Sequence, residues 1–202
     1  MSDLDRALAE IGAIREQMAR GATFHGLGPT AFAATGALAG FAALGQARWM
    51  PSPAAHVGGF LALWIAVAAI SAAVIGYEMI ARSRRLHSDL ADEMIAAAVW
   101  QFLPAAAAGA LMTLVLARFA PQSLWMIPGL WQIAFGLGVF ASCRFLPRPM
   151  RLVGVWYLAS GLACLAFAQG ALAFSPWTMG VGYGVGQGMV ALVLRFSGTA
   201  DD

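Results

Sequence analysis

The sequence predicts an all-α integral membrane bundle of six transmembrane helices, arranged as three helical hairpins and preceded by an N-terminal amphipathic cytoplasmic helix. Three observations carry that prediction. Of the 202 residues, 60% are hydrophobic and only 11% are charged. Ordinary soluble domains carry about 25% charged residues, so this chain has too little polar surface to face water all round. The apolar residues gather into six runs near the ~20-residue length that crosses a hydrocarbon core about 30 Å thick. Arginines concentrate in alternate loops, the pattern left by a chain that threads back and forth. The expected division is residues 1–21 for the amphipathic helix, 22–196 for the six-helix domain and 197–202 for a polar tail.

Taken in order, residues Ser2 to Arg20 come first. They place Leu4, Leu8, Ile11, Ile14 and Met18 at intervals of three or four, with Asp3, Arg6, Glu10 and Glu16 on other faces. That spacing predicts an amphipathic helix capped by Ser2 or Asp3 and stopped near Gly21. Its mixed charges and lack of a small-residue cleavage site argue against a secretory signal. Such a helix lies on the membrane surface or docks on a partner.

The apolar runs are Pro29 to Gly45, Val57 to Ile80, Met94 to Ala117, Leu124 to Cys143, Leu152 to Ala168 and Trp177 to Leu194, the first and fifth being short. Brief connections at Gln46 to His56, Arg118 to Ser123 and Gln169 to Pro176 predict that successive helices form antiparallel hairpins. All 12 basic residues are arginine. One side of the threaded chain collects Arg6, Arg15, Arg20, Arg82, Arg84, Arg85, Arg144, Arg148, Arg151 and Arg195, whereas the other has Arg48 and Arg118. Cytoplasmic loops retain basic residues, so both termini are expected in the cytoplasm, with the bundle in the membrane that bounds it. Trp49, Trp125 and Trp177 then fall at the opposite interface, where indole rings prefer to sit. The net charge of +2 offers no nucleic-acid footprint.

The stretch from Thr178 to Val190, TMGVGYGVGQGMV, has glycine at every second position from Gly180 to Gly188 and spells the core of a potassium filter at Val181 to Gly184. A filter must be followed by a full helix returning across the bilayer, but the residues from Val185 to Arg195 reach only roughly 16 Å. A phosphate loop of the Walker type needs a lysine, and the chain has none. A helix remains. Five glycines disfavour it by about 1 kcal/mol each in water, but unpaired backbone in lipid costs several kcal/mol per group. On that helix Gly180, Gly184 and Gly188 form one bare stripe and Gly182 and Gly186 another, nearly opposite. Bare stripes let neighbouring helices approach closely, so the sixth helix should be gripped on two sides. Gly36 and Gly40 in the first helix, and Ser160 and Cys164 in the fifth, are expected to pack in the same way. These stripes are compatible with internal packing and with homo-oligomers alike.

Polar residues inside the runs are the candidates for chemistry. Gln101 and Gln187 are placed to meet at one depth, with Gln132 higher in the fourth helix. Pro104 could open a small polar cavity beside Gln101, since its ring breaks the helical ladder. Tyr183 joins these as a cavity candidate, and so does Glu78 at the inner end of the second helix. Arg82, Arg84, Arg85, Arg144, Arg148 and Arg151 are candidates for lipid headgroups, at about 1 kcal/mol each near an anionic surface. Asp92 and Glu93 most simply complement the start of the third helix. His25, His56 and His87 flank the membrane, so neither haem nor a metal site is expected. Cys143 and Cys164 read as small buried hydrophobes. No nucleophile arrangement is recognisable, and neither a cofactor nor a catalytic residue is expected.

The segment Ile11-Gly12-Ala13-Ile14-Arg15-Glu16-Gln17-Met18-Ala19-Arg20, followed by Phe24 and the first run, resembles the opening of a group of small bacterial multi-pass membrane proteins of no assigned activity. The likeness covers the layout of the whole chain through a loose motif. Such proteins are often encoded beside winged-helix regulators, so the resemblance implies a regulatory link and identifies no functional residue. The expectation is a non-enzymatic membrane protein that binds a lipid or small amphiphile, signals to a cytoplasmic protein partner through residues 2–20, or does both. The alternatives are a small transporter or channel using Gln101, Gln132 and Gln187, and an enzyme acting on a lipid headgroup through Glu78, Asp92 or Glu93.

Overall fold

The computed structural model describes residues 28–86, 89–143 and 146–198. The amphipathic segment 2–20, His25, His87, Arg144 and residues 199–202 lie outside them. Among the described residues there is no β-strand. Six long helices follow one another: α1 (Pro29–Trp49), α2 (Val57–Leu86), α3 (Asp89–Phe119), α4 (Ile127–Ser142), α5 (Met150–Phe167) and α6 (Pro176–Gly198). Short 3₁₀ turns at Pro53–His56, Pro121–Met126 and Gly170–Leu172 join them.

Proline sets several of the starts. Pro29 and Pro128 occupy the first turns of α1 and α4, where a missing N–H removes no helical bond. Pro121 likewise opens a 3₁₀ turn, which is why the expected run from Leu124 to Cys143 divides into that turn and α4. Pro104 lies inside α3, which continues through it. Several expected boundaries move, and α2 runs on past Ile80 to Leu86. α1 continues beyond Gly45 to Trp49, and α3 begins at Asp89 rather than Met94.

Among the described residues, five helical stretches are long and apolar enough to cross a membrane; α1 is not among them. Its face is mostly alanine and glycine, interrupted by Thr30, Thr35, Gln46 and Arg48. Exposed aromatic residues are paired on two helices: Trp100, inside α3, with Phe119 at its end, and Trp177 and Phe196 near the two ends of α6. In each case nineteen residues separate them, about 28 Å along a helix.

The closest-packed pairs are α1 with α6 and α4 with α5. α2 lies on α1, α3 on α4, and α6 also touches α5 and α4, whereas α2 and α3 make little contact although they are consecutive. The three expected hairpin pairs are each in contact, and the closest packing joins them into a wall of α1, α6, α4 and α5 with α2 and α3 as outer helices. Antiparallel register is visible in the contacts: Gly36 lies against Gly184 and Gly180 against Ala43. Between α4 and α5 the backbones nearly touch. A methyl group added at Gly129 would come within 2.7 Å of the Gly161 carbonyl oxygen, and one at Gly161 would stand equally close to the Gly129 oxygen. Two turns further on, a methyl at Gly136 would lie 3.1 Å from the Gly154 oxygen. Such approaches depend on glycine and permit weak Cα–H···O contacts.

Two apolar cores result. Near the end that carries Trp49 and Trp177, Phe60, Trp64 and Val67 of α2 meet Ala39 and Ala43 of α1, Met179 of α6 and Phe174 of the preceding loop. Toward the arginine-rich end, Val139, Met150, Val153, Tyr157, Val190 and Leu194 form the second. Phe174 adopts a positive φ of 60°, and its ring meets Phe60 edge-on at 5.1 Å. Its carbonyl oxygen accepts a hydrogen bond from Gln46 Nε2 at 2.9 Å, while Gln46 Oε1 accepts one from Trp64 Nε1 at 2.8 Å. Gln46, expected in a connection, is thus a buried tie between α1, α2 and the loop before α6.

Candidate functional site

The glycines of α6 decide what lies beside it. Those on one stripe face α1: a side chain at Gly180 would collide with the Ala43 methyl, and Gly184 approaches the Gly36 oxygen. Gly182 and Gly186 face α4 and α5, and polar side chains fill the spaces they leave. The Gln132 amide oxygen occupies the place of a Gly182 side chain, and the Tyr157 ring and hydroxyl occupy that of Gly186. Two expected packing positions differ. Gly40 and Gly188 have nothing within 4 Å of an added methyl: at Gly40 because Ala39 and Ala43 make the α1 contact, and at Gly188 because eight residues turn it about 80° from Gly180, although its backbone nitrogen lies 3.5 Å from a methyl added at Gly36.

Gln132 is fully buried. Its Nε2 donates to the Thr178 carbonyl at 3.0 Å and the Pro128 carbonyl at 3.2 Å, and contacts Cys164 Sγ at 3.4 Å. Its Oε1 has no hydrogen-bond partner, nor do the Tyr157 hydroxyl and Gln187 Oε1, which are also buried. The Gln187 side chain lies near enough to act on the Tyr157 hydroxyl electrostatically, but no hydrogen bond of ordinary geometry joins them. Gln132 Oε1 rests against the backbone of Gly182, which offers it no N–H or O–H donor. Phe102, Phe135, Tyr157 and Tyr183 surround this region, with ring centroids 4.6 to 5.5 Å apart.

Directly in front of this polar backing, α5 and α6 separate into an open groove of about 380 Å³. Trp156, Ala159, Ser160, Ala163 and Cys164 line it from α5, and Trp177, Thr178, Val181 and Gly182 from α6. Trp156 Nε1 bonds the Gly182 carbonyl at 2.8 Å and so pins one wall. Of Ser160 and Cys164, expected between helices, Cys164 does touch Gln132 of α4 and Thr178 of α6, and both residues also line this groove. Gly154 and Gly161 are smaller still and take the face toward α4, which turns Ser160 and Cys164 sideways. A second groove, of about 410 Å³, lies between α3 and α4 and is lined entirely by aliphatic residues, among them Leu111, Met112, Val115 and Leu130.

The expected site residues are not gathered in one place. Gln132 backs the groove, and Gln187 and Tyr183 lie deeper along α6. Gln101 is half-buried on α3, which packs on α4, and no hydrogen bond joins it to either other glutamine. Pro104 is exposed, and the grooves on the surface lie away from Gln101. Glu78 accepts a hydrogen bond from Thr30 Oγ1 at 3.4 Å, tying α2 to the start of α1. Arg148 and Arg151 are exposed, and Arg151 lies within electrostatic range of the Cys143 thiol. Arg82, Arg84 and Arg85 fall in the last turns of α2, and Asp92 and Glu93 in the first turn of α3. The groove itself was missed in the sequence. The available signal was the recurrence of Trp156, Ala159, Ser160 and Ala163 on one helical face, where two small residues and a serine stand beside an indole.

No family model, no curated protein and no solved structure matches the chain. Fold and site therefore define it by themselves: a helical bundle with five apolar stretches of membrane-spanning length and a lateral groove backed by buried polar groups.

Proposed function

We propose that the protein is a six-span membrane protein, with both termini on the arginine-rich side, that binds a lipid or small amphiphile in the α5–α6 groove. The observation that carries the binding reading is the groove itself. It is open along its length, flanked by Trp156 and Trp177, and has Ser160, Cys164 and Thr178 among its apolar walls. Ligand sites are typically apolar with a few fixed polar groups, and this groove has that composition.

The embedding is supported by the paired exposed aromatics on α3 and α6, whose separation of about 28 Å matches the hydrocarbon thickness. α1 joins the membrane as the sixth span through its packing on α6: Thr35, Ala39, Ala43 and Gln46 are buried, so its polar groups need not meet lipid. The arginine distribution supports the cytoplasmic placement of that side.

The test is native mass spectrometry of the full chain extracted in mild detergent. Wild-type protein should retain a lipid or detergent-sized adduct that Ala163→Trp, which fills an exposed groove position, removes without lowering the melting temperature. Equal retention by both proteins would overturn the assignment of the site.

A further inference from the structure

We infer that the α5–α6 groove takes an uncharged amphiphile whose head carries a hydrogen-bond donor, such as a hydroxyl, in preference to an anionic lipid. This rests on the reading of the groove as an amphiphile site and names the class of ligand.

The argument follows the hydrogens. Ser160 Oγ lies 3.3 Å from the Tyr157 carbonyl oxygen, and Thr178 Oγ1 lies 2.7 Å from that of Ser175. A carbonyl only accepts, so in both pairs the hydroxyl donates its single proton to the backbone. Each hydroxyl oxygen keeps lone pairs and has no hydrogen left for a ligand. The Cys164 thiol is held between Gln132 Nε2, which donates to it, and the Thr178 carbonyl, toward which it points at 3.9 Å. The Trp156 indole N–H is already given to the Gly182 carbonyl. Among the lining side chains, the one donor without a described partner is the indole of Trp177 at the exposed rim.

The groove wall is therefore almost wholly apolar, and apart from the Trp177 indole at the rim the little polar surface it presents is that of acceptors. A phosphate or carboxylate placed there would face lone pairs and find no cation, because no lining residue is charged. An ammonium head would find no carboxylate on these helices. A neutral head with an O–H or amide N–H matches what is present, with its chain lying over Ala159, Ala163 and Val181. Gln132 acts behind this surface. By bonding the Thr178 carbonyl and the Cys164 sulfur, it fixes the two groups between which a ligand head must fit.

The experiment compares three probes with one chain length, hexadecanol, hexadecyl methyl ether and palmitate at pH 8, each added to the full-length protein and read by native mass spectrometry. Hexadecanol should be retained at least about three-fold more than either other probe, the ratio expected for one intramembrane hydrogen bond. The double variant Ser160→Ala, Thr178→Val should lower hexadecanol to the level of the ether and leave the ether unchanged. Ala163→Trp, or Ala159→Leu if the first variant melts early, should abolish all three. If palmitate or the ether is retained as well as hexadecanol, and the filling variant still removes them, the donor rule is wrong and the groove assignment stands. If the filling variants change nothing for any probe, both fail.

Discussion

Two buried glutamines occupy opposite situations in this bundle. Gln46 uses both ends of its amide: its oxygen accepts from Trp64 and its nitrogen donates to Phe174, all within one well-covered core. Gln132 uses only its nitrogen, and its oxygen rests in the space left by Gly182 without a hydrogen-bond partner. A polar network that is complete rigidifies the packing around it, whereas an incomplete one leaves an energetic deficit of about 1–3 kcal/mol. The complete network closes the end of the bundle near Trp49, among residues that do not line the groove. The incomplete one stands immediately behind the groove between α5 and α6. That placement suggests a division of labour, with one glutamine locking the fold and the other shaping a surface.

The largest effect is expected at the lock. Gln46→Leu preserves volume but strands the Trp64 indole N–H and the Phe174 carbonyl in an apolar core. Intramembrane hydrogen bonds average about 0.6 kcal/mol and reach about 1.7, so losing two should destabilise by about 2 kcal/mol. Thermal unfolding in detergent would register this as a clear drop in melting temperature, while adduct retention in folded protein stays unchanged. A variant that melts like wild type would show that the Gln46 tie is incidental and would remove the distinction between the two sites.

A smaller effect, with more information in it, is expected at Gly182. Gly182→Ala places a methyl group where the Gln132 amide oxygen now lies, so the amide must shift and its bond to Thr178 is strained. Overpacking of this kind costs about 1–3 kcal/mol. In a Gln132→Ala background the obstruction is gone, and the same substitution should be nearly neutral. Unfolding measurements on the two single variants and the double variant give the coupling directly, and a value below about 0.5 kcal/mol would mean that the two residues are independent.

Much of this architecture was legible in the sequence because it depends on local periodicity. The helical state of Thr178 to Val190 followed from the high cost of unwound backbone in lipid, and the two-sidedness of α6 followed from glycines spaced by two and four. Partner choice was not legible. Nothing local indicates that α1 packs on α6, which lies far along the chain, or that Gly129, Gly154 and Gly161 bring α4 and α5 into backbone contact, because that depends on which faces of the two consecutive helices meet. Gln46 read as a loop residue because its polarity is resolved only by Trp64 and Phe174, eighteen and 128 positions away. The groove was hidden for a related reason. Ser160 and Cys164 suit a packed interface as well as a groove wall, and only the neighbouring glycines, by taking the α4 contact, determine which role they play.

The smallest effect is a matter of sign, and it separates glycines that packing requires from those that it tolerates. Gly180 and Gly188 belong to one stripe on α6, two turns apart. At Gly180 an added methyl would collide with Ala43, whereas at Gly188 it would meet nothing within 4 Å. Alanine is favoured over glycine in a helix by up to about 1 kcal/mol, partly because it restricts the unfolded chain. Gly188→Ala should therefore raise stability slightly, by about 0.5 kcal/mol, while Gly180→Ala should lower it, because two close-packed backbones cannot separate without opening the whole α1–α6 contact. Paired melts of these variants read the difference free of any ligand. If both substitutions moved stability in the same direction, Gly188 would not face open space as described, and the notches that Gly182 and Gly186 leave on the other face of α6 would lose their strongest structural parallel.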